Sequence, residues 1–303
     1  MRSEKNIQNN CELCPRFCHV DRTKGGVGFC GASELKVYTH FLHTGEEPVI
    51  SGQNGSGTIF FAGCSLKCVF CQNYKFSHAS VGDVYSVNEL AYLMLELEEE
   101  GAHNINLVTP SHYADSIVKA VIRARKQGLT LPIVYNSSGY ESLHTLKILS
   151  GHIDIYMPDF KYFSNSTSQL YSSAYDYPEV VKSALYAMSE QIPDNIFDDN
   201  GIMLSGMIIR HMVLPGYTNE SLLILKWIKE NIPNAMLSLM SQYRPYHMAC
   251  EYDIINRTLG SSEYSEVADL AVALSFDGWI QDEPDDTLAG VHFIQKKNKN
   301  KEK

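Results

Sequence analysis

Apolar and polar positions along this chain alternate between two rhythms. Short continuous apolar runs recur at 58–61, 105–109, 132–135, 153–157, 206–213 and 235–240. They are rich in β-branched or aromatic residues and are flanked by Gly, Pro, Asn or Ser, a pattern that predicts buried strands. Between them the apolar spacing becomes helical. Leu90, Leu93, Met94 and Leu97 share one face, as do Ile117, Val118, Val121 and Ile122, and later Val267, Leu270, Ala271 and Leu274. Ser86-x-x-Glu89 opens the first of these helices as a capping box, and Gly101 closes it. Further helices are predicted near 141–149, near 178–191 and at 218–231, while the Ser- and Tyr-rich stretch 158–177 reads as a loop. Strand and helix alternate six times from residue 58 onward. That order predicts an α/β fold with a parallel sheet and right-handed crossovers.

Composition narrows the class. At 303 residues, with 44% hydrophobic and 20% charged residues, the chain can bury a substantial core and has ordinary globular composition. No apolar run is long enough to span a bilayer, and the first residues lack a secretion signal, so the chain reads as cytoplasmic. Net charge is −10, and the Lys-rich stretch 296–303 supplies +4, leaving −14 on the body. An acidic body argues against extended contact with nucleic-acid phosphates, and the lysine tail reads as a solvated end. Three segments are expected: a metal module with its linker over 1–56, a barrel over 57–285, and a basic tail over 286–303.

Cysteine placement changes the picture most. Seven of the eight cysteines fall in the first 71 residues, and in a reducing compartment they point to metal rather than disulfides. Cys11-x2-Cys14-x3-Cys18-x11-Cys30 runs through a glycine-rich, turn-rich segment. Four thiolates there can close a tetrahedral shell around zinc or hold an iron–sulfur cluster, and the spacing does not choose between them. Cys64-x3-Cys68-x2-Cys71 follows the 58–61 strand and Gly63. Three thiolates would leave one iron of a [4Fe-4S] cube open to a small ligand. Zinc is the rival there, but this loop has no matching second half nearby. Cys250 stands alone and is expected to be a buried thiol.

The second cysteine motif, with Phe70 directly before its last cysteine and a strand before its first, resembles the signature of the radical S-adenosylmethionine (SAM) superfamily. Within it the chain is similar to the activating enzymes of glycyl-radical enzymes and to relatives named after the pyruvate formate-lyase activating enzyme. The likeness runs from about Cys11 to Ile280. It implies a partial (β/α)6 TIM-like barrel in which the open iron binds the amino and carboxylate groups of SAM. Reduction then cleaves SAM to methionine and a 5′-deoxyadenosyl radical that abstracts hydrogen from a substrate. A low-potential donor such as flavodoxin or ferredoxin is implied, with a glycyl-radical enzyme as the protein substrate. Radical modification of another protein, peptide or small molecule is the alternative, and a non-catalytic iron–sulfur or zinc binder is the rival from another class.

In parallel barrels the loops after the strands' C-terminal ends build the active site. The resemblance assigns Phe70 to the adenine, and Asn136, Ser137, Asp159, Lys161 and Arg210 to the positioning of SAM. Asn73, just beyond the cysteine loop, is counted with them. Where the family carries Gly-Gly-Glu, this chain has Thr109-Pro-Ser111-His112, so Thr109 or Ser111 is the candidate replacement. His211 reads as a core residue, and no catalytic acid or base is assigned. A hydrolase nucleophile elbow, a P-loop and a Rossmann glycine fingerprint are all missing from the sequence.

Overall fold

The computed structural model describes residues 9–282 and 291–294. After a 3-10 turn at Arg22–Lys24 come β1 (Lys36–His43), α1 (Pro48–Ser51), β2 (Ser56–Phe61), α2 (Tyr74–Ser77), β3 (Asp83–Val84) and α3 (Val87–Glu99). Next are β4 (Ile105–Val108), α4 (Ala114–Lys126), β5 (Ile133–Ser137), α5 (Leu143–Leu149), β6 (Ile155–Pro158), α6 (Asn165–Ser172) and α7 (Tyr177–Gln191). The chain ends with β7 (Ile196–Phe197), β8 (Met203–Met212), α8 (Thr218–Asn231), β9 (Met236–Met240), α9 (Ser261–Ala273), β10 (Gly278–Gln281) and β11 (Val291–Phe293).

Two compact units emerge. One holds the described residues of 1–67 with 73–158 and 179–206, and the other those of 207–303 with 68–72 and 159–178. In the first, β2, β4, β5 and β6 run parallel in that order, and β1 pairs antiparallel with β2 and β3. In the second, β8, β9 and β10 are parallel, and β11 closes antiparallel on β10. This mostly parallel α/β sheet is the one expected of a partial TIM-like barrel. Four of its parallel strands, β4, β5, β6 and β9, are buried along their whole length, which is why they read as unbroken apolar runs.

Local chemistry explains most boundaries. The Ser86 capping box is present: Glu89 N–H donates to Ser86 Oγ at 3.2 Å and Ser86 N–H to Glu89 Oε2 at 2.7 Å. Three expectations change. The 158–177 stretch is not a bare loop, because it contains α6. This helix is capped by Ser164, buries Thr167, Ser168, Tyr171 and Ser172, and hangs from Glu220, which accepts the N–H groups of Phe163 and Ser164 at 2.8 and 3.1 Å. A seventh parallel strand, β10, follows α9. Its Gly278 lies at φ +136°, and a Cβ there would stand 2.0 Å from the Leu237 carbonyl oxygen, so only glycine allows β10 to pair with β9. Cys250 is exposed, not buried, in a 3-10 turn that buries Ala249. The lysine tail lies outside the described residues. Among those residues, no helix is long and apolar enough to cross a membrane.

Candidate functional site

In the first unit β2 delivers the chain to Gly63, whose φ of +85° turns it toward Cys64. A Cβ on Gly63 would lie 2.5 Å from the Cys30 carbonyl oxygen and 3.1 Å from His112 Nε2. The Leu66 and Lys67 amides lie 3.3 and 3.5 Å from Cys64 Sγ, N–H···S contacts suited to a thiolate ligand. Asn73 sits at the N-cap of α2, where its carbonyl accepts from Phe76 and Ser77. Thr109 follows β4 in the left-handed region, at φ +60°, and donates its N–H to the Asn136 carbonyl at 2.9 Å. Such strain in a β-branched residue is held only by its surroundings and is concentrated at functional sites. Asn136 and Ser137 end β5, both buried, with Ser137 Oγ accepting from Gly139 N–H at 3.2 Å. Ser111, the alternative to Thr109, donates its hydroxyl to the Glu141 carboxylate, and its oxygen keeps lone pairs that can accept.

Glu141 is the residue that sequence reasoning missed. It is 2% exposed, lies beside Ser111 and 3.2 Å from the Tyr135 hydroxyl, and burial pushes its carboxyl up to about 7 against the hydrogen bonds that favour its charge. Only its place just after the Asn136-Ser137-Ser138-Gly139 turn hinted at it. His112 is buried in the 3-10 turn Ser111–Tyr113. Its Nε2 lies 2.8 Å from the Ala62 carbonyl oxygen, so Nε2 carries the proton, and burial pulls the ring down to about 3.

In the second unit Cys68, Phe70 and Cys71 are held by backbone bonds. Val69 N–H donates to the Tyr171 carbonyl and Met248 N–H to the Val69 carbonyl, each at 2.9 Å. Phe70 is buried against Tyr243, Tyr162 and Tyr171, with ring centroids 5.7, 6.3 and 6.3 Å away. Asp159 is clamped by two cations: Lys161 Nζ stands 2.6 Å from Oδ2, and Arg210 Nε 2.9 Å from Oδ1. Burial opposes the Asp159 charge, but Arg210 and Lys161 outweigh it and hold the carboxyl below its usual range. Lys161 is likewise raised despite burial, by Asp159 and by the sulfur of Cys68. Tyr177 fixes the turn, donating to the Asp159 carbonyl and accepting the Lys161 N–H, each at 2.9 Å. His211 is a satisfied core residue: its ring nitrogens lie 2.7 Å from the Phe160 carbonyl oxygen and 2.8 Å from Ser221 Oγ.

The four N-terminal cysteines belong to the first unit. Cys11, Cys14 and Cys30 are buried and Cys18 is partly exposed. Gly28 leaves room for Cys18, since a Cβ there would lie 2.5 Å from its Sγ. Arg22 is 8% exposed, with Nη2 3.4 Å from Cys30 Sγ, and has no carboxylate partner among the described residues. Burial opposes that guanidinium charge, and the sulfurs of Cys30, Cys11 and Cys14 support it. Among the described residues, no three Cys, His, Asp or Glu side chains are grouped closely enough to hold an ion as they stand.

The residues from 58 to 228, more than half of the chain, match the family described as the Radical SAM superfamily. The chain belongs to that superfamily. This radical SAM protein is 32% identical over 286 residues to the uncharacterized protein MJ0674 of Methanocaldococcus jannaschii, covering 90% of this chain and 77% of that one. Among solved structures it is similar to a domain of a pyruvate-formate lyase-activating enzyme from Bacteroides vulgatus. That match has a TM-score of 0.41 and 11% identity, over 55% of this chain and 91% of the other. It is also similar to SuiB of Streptococcus suis, with a TM-score of 0.49 and 12% identity over 73% of this chain and 47% of that one. Membership marks the radical SAM protein as an enzyme and implies a [4Fe-4S] cluster and SAM. The donor chemistry fits: three thiols lie within eight residues, and Cys64 already receives two backbone N–H groups.

Proposed function

We propose that the protein binds a [4Fe-4S] cluster through Cys64, Cys68 and Cys71 and cleaves SAM reductively, in order to abstract hydrogen from a protein partner. One observation in the second unit carries this reading: a buried carboxylate, Asp159, clamps two cations, Lys161 at 2.6 Å and Arg210 at 2.9 Å, just past the end of β6. When bound, the cluster supplies the electron that splits SAM into methionine and a 5′-deoxyadenosyl radical. The chain's own residues do the rest by binding, orientation and exclusion of water. The Lys161 ammonium carries three N–H donors and gives one to Asp159, so it can also meet an anionic group. Asp159 keeps both cations charged and fixed, so a carboxylate such as that of SAM meets a preorganised site rather than mobile side chains. Asn136, Ser137, Asn73 and the strained Thr109 offer polar contacts to the amino, sugar or methionine portions. Phe70 and its tyrosine neighbours make an apolar, water-poor wall suited to adenine.

The four N-terminal thiols are assigned to a second metal, zinc or iron–sulfur, and a low-potential flavodoxin or ferredoxin to electron supply. For the substrate, the sequence resemblance favours generation of a glycyl radical on a partner enzyme, with modification of another protein, a peptide or a small molecule as the alternative. Anaerobic trapping tests this choice. The reduced protein and SAM are incubated with candidate partners, and a SAM-dependent glycyl radical signal is expected on one of them. A mass change on a partner without any glycyl radical would favour the alternative.

A further inference from the structure

In the first unit, the strand ends that carry Thr109 and Asn136 share one buried carboxyl group, that of Glu141. Thr109 donates its N–H to the Asn136 carbonyl at 2.9 Å, yet that single bond does not set a β-branched residue at φ +60°. The chain after Thr109 must hold the same conformation from the other side. Two residues on, Ser111 donates its hydroxyl to the Glu141 carboxylate. On β5 the same group accepts the Tyr135 hydroxyl at 3.2 Å and is hydrogen-bonded to Ser137. Tyr135 and Ser137 are the neighbours of Asn136 on either side, so one side chain ties the turn after β4 to the end of β5. Glu141 is itself fixed. Its N–H donates to the Gly139 carbonyl at 3.0 Å, the Gly139 N–H to Ser137 Oγ at 3.2 Å, and Ser142 caps α5 by accepting the Thr145 N–H at 3.1 Å. The Tyr135 ring packs edge-on against Tyr156, whose hydroxyl donates to Gln191 of α7 at 2.7 Å, so helices cover that face of β5. Asn136, the next residue along the strand, points to the opposite face.

We infer that Glu141 is a positioning residue for SAM: it locks the turn after β4 to the end of β5, and so sets Thr109 and Asn136 for the cofactor without touching it. The inference rests on the proposed contact of those two residues with SAM. For stability alone a buried carboxyl is a poor choice, because taking it from water costs more than burying an apolar side chain of that size. What it adds is direction. Three hydroxyls converging on two oxygens fix the distance between the two strand ends, whereas an apolar contact would let them slide. Burial pushes the carboxyl up to about 7, so its acid form is available to donate to one hydroxyl while accepting from the others. Thr109 then keeps its strained backbone because both sides of it are held.

The test uses the reconstituted full chain, with iron content, SAM affinity and the SAM-induced change in the paramagnetic resonance of the reduced cluster as readouts. Glu141→Leu removes every hydrogen bond of the carboxyl. It should keep its cluster but bind SAM at least about tenfold more weakly, the size of effect expected when buried hydroxyls lose their partner. Glu141→Gln keeps a neutral donor and acceptor and should restore most of that affinity. Thr109→Gly reaches the left-handed conformation without strain, so in that background Glu141→Leu should cost clearly less affinity. A residue that only stabilised the fold would give neither the rescue nor this coupling. If Glu141→Leu does not fold, Tyr135→Phe carries the measurement: it removes one hydroxyl from the helix-covered face and should weaken SAM binding several-fold. Wild-type SAM affinity and spectrum in folded, cluster-loaded Glu141→Leu, or in Tyr135→Phe where that variant stands in, would overturn the inference and leave the SAM site standing. Equal losses in Glu141→Leu and Glu141→Gln would overturn it too. A wild-type cluster that does not respond to SAM would remove the SAM reading itself, and the inference with it.

Discussion

Lys161 and Asp159, two residues apart at the end of β6, form an ion pair of 2.6 Å in which both side chains are mostly buried. In extended chain that spacing sends two side chains to the same side, and here a third group, Arg210 from β8, takes the other carboxylate oxygen. Removing one partner of such a buried pair costs on the order of 3–5 kcal/mol, chiefly through the charge left behind. Lys161→Ala should therefore weaken SAM binding by about two orders of magnitude or more, at about 1.4 kcal/mol per tenfold. The cluster should still assemble, since no cysteine changes. Calorimetric titration with SAM checks this, and unchanged affinity would reduce the pair to a structural salt bridge.

Glu141 makes stability depend on pH in an uncommon direction. Its carboxyl is pushed up to about 7 by burial, so the folded chain binds that proton more tightly than the unfolded chain does. The contribution is complete below the unfolded value near 4.5, declines as pH rises, and is gone above about 7. The shift corresponds to about 3 kcal/mol. Urea unfolding at pH 5 and pH 8 should show the wild type losing more stability between the two than Glu141→Gln, which stays neutral throughout. Equal losses would mean that Glu141 is ionised in the fold.

Much of the fold was legible because burial on both faces writes parallel strands as apolar runs: 105–109, 132–135, 153–157 and 235–240 are β4, β5, β6 and β9 to within one or two residues at most ends. The Ser86 box and α8 were equally plain. The α6 helix was not, because its buried face is Thr167, Ser168, Tyr171 and Ser172 rather than an aliphatic stripe, and Glu220, far away in sequence, holds its N-terminus. Nor was β10 legible, since it is only four residues long and depends on what faces Gly278. In the candidate site, the pairing of Asp159 with Lys161 could be read from spacing. That Arg210 shares the same carboxylate, that Ser111 donates to Glu141 and that the Cys30 carbonyl accepts from Cys64 are long-range facts with no local signal.

Gly278 provides a test of the unforeseen strand. Gly278→Ala would place a Cβ against the Leu237 backbone at a φ that side-chain-bearing residues rarely adopt. A residue held in such a conformation costs about 1–3 kcal/mol before the collision is counted. Thermal unfolding should drop by several degrees, and a variant as stable as the wild type would contradict the β9–β10 register.

Cys250 separates the exposed thiol from the others. It should be alkylated at once in the native, metal-loaded protein, while the seven remaining cysteines are protected. Cys250→Ser should abolish that fast labelling and leave cluster content unchanged. Peptide mass spectrometry after a short pulse of reagent reads both outcomes, and slow labelling of Cys250 would contradict its exposure.

The account stands or falls on Cys64, Cys68 and Cys71 holding a cluster that meets SAM. The most direct measurement is electron paramagnetic resonance of the anaerobically reconstituted, reduced protein with and without SAM, followed by assay of 5′-deoxyadenosine. The wild type should give a [4Fe-4S] signal that SAM perturbs, together with 5′-deoxyadenosine, and Cys64→Ala should lose both while keeping its N-terminal metal. A SAM-responsive signal and 5′-deoxyadenosine from Cys64→Ala, or neither from the wild type, would contradict the account.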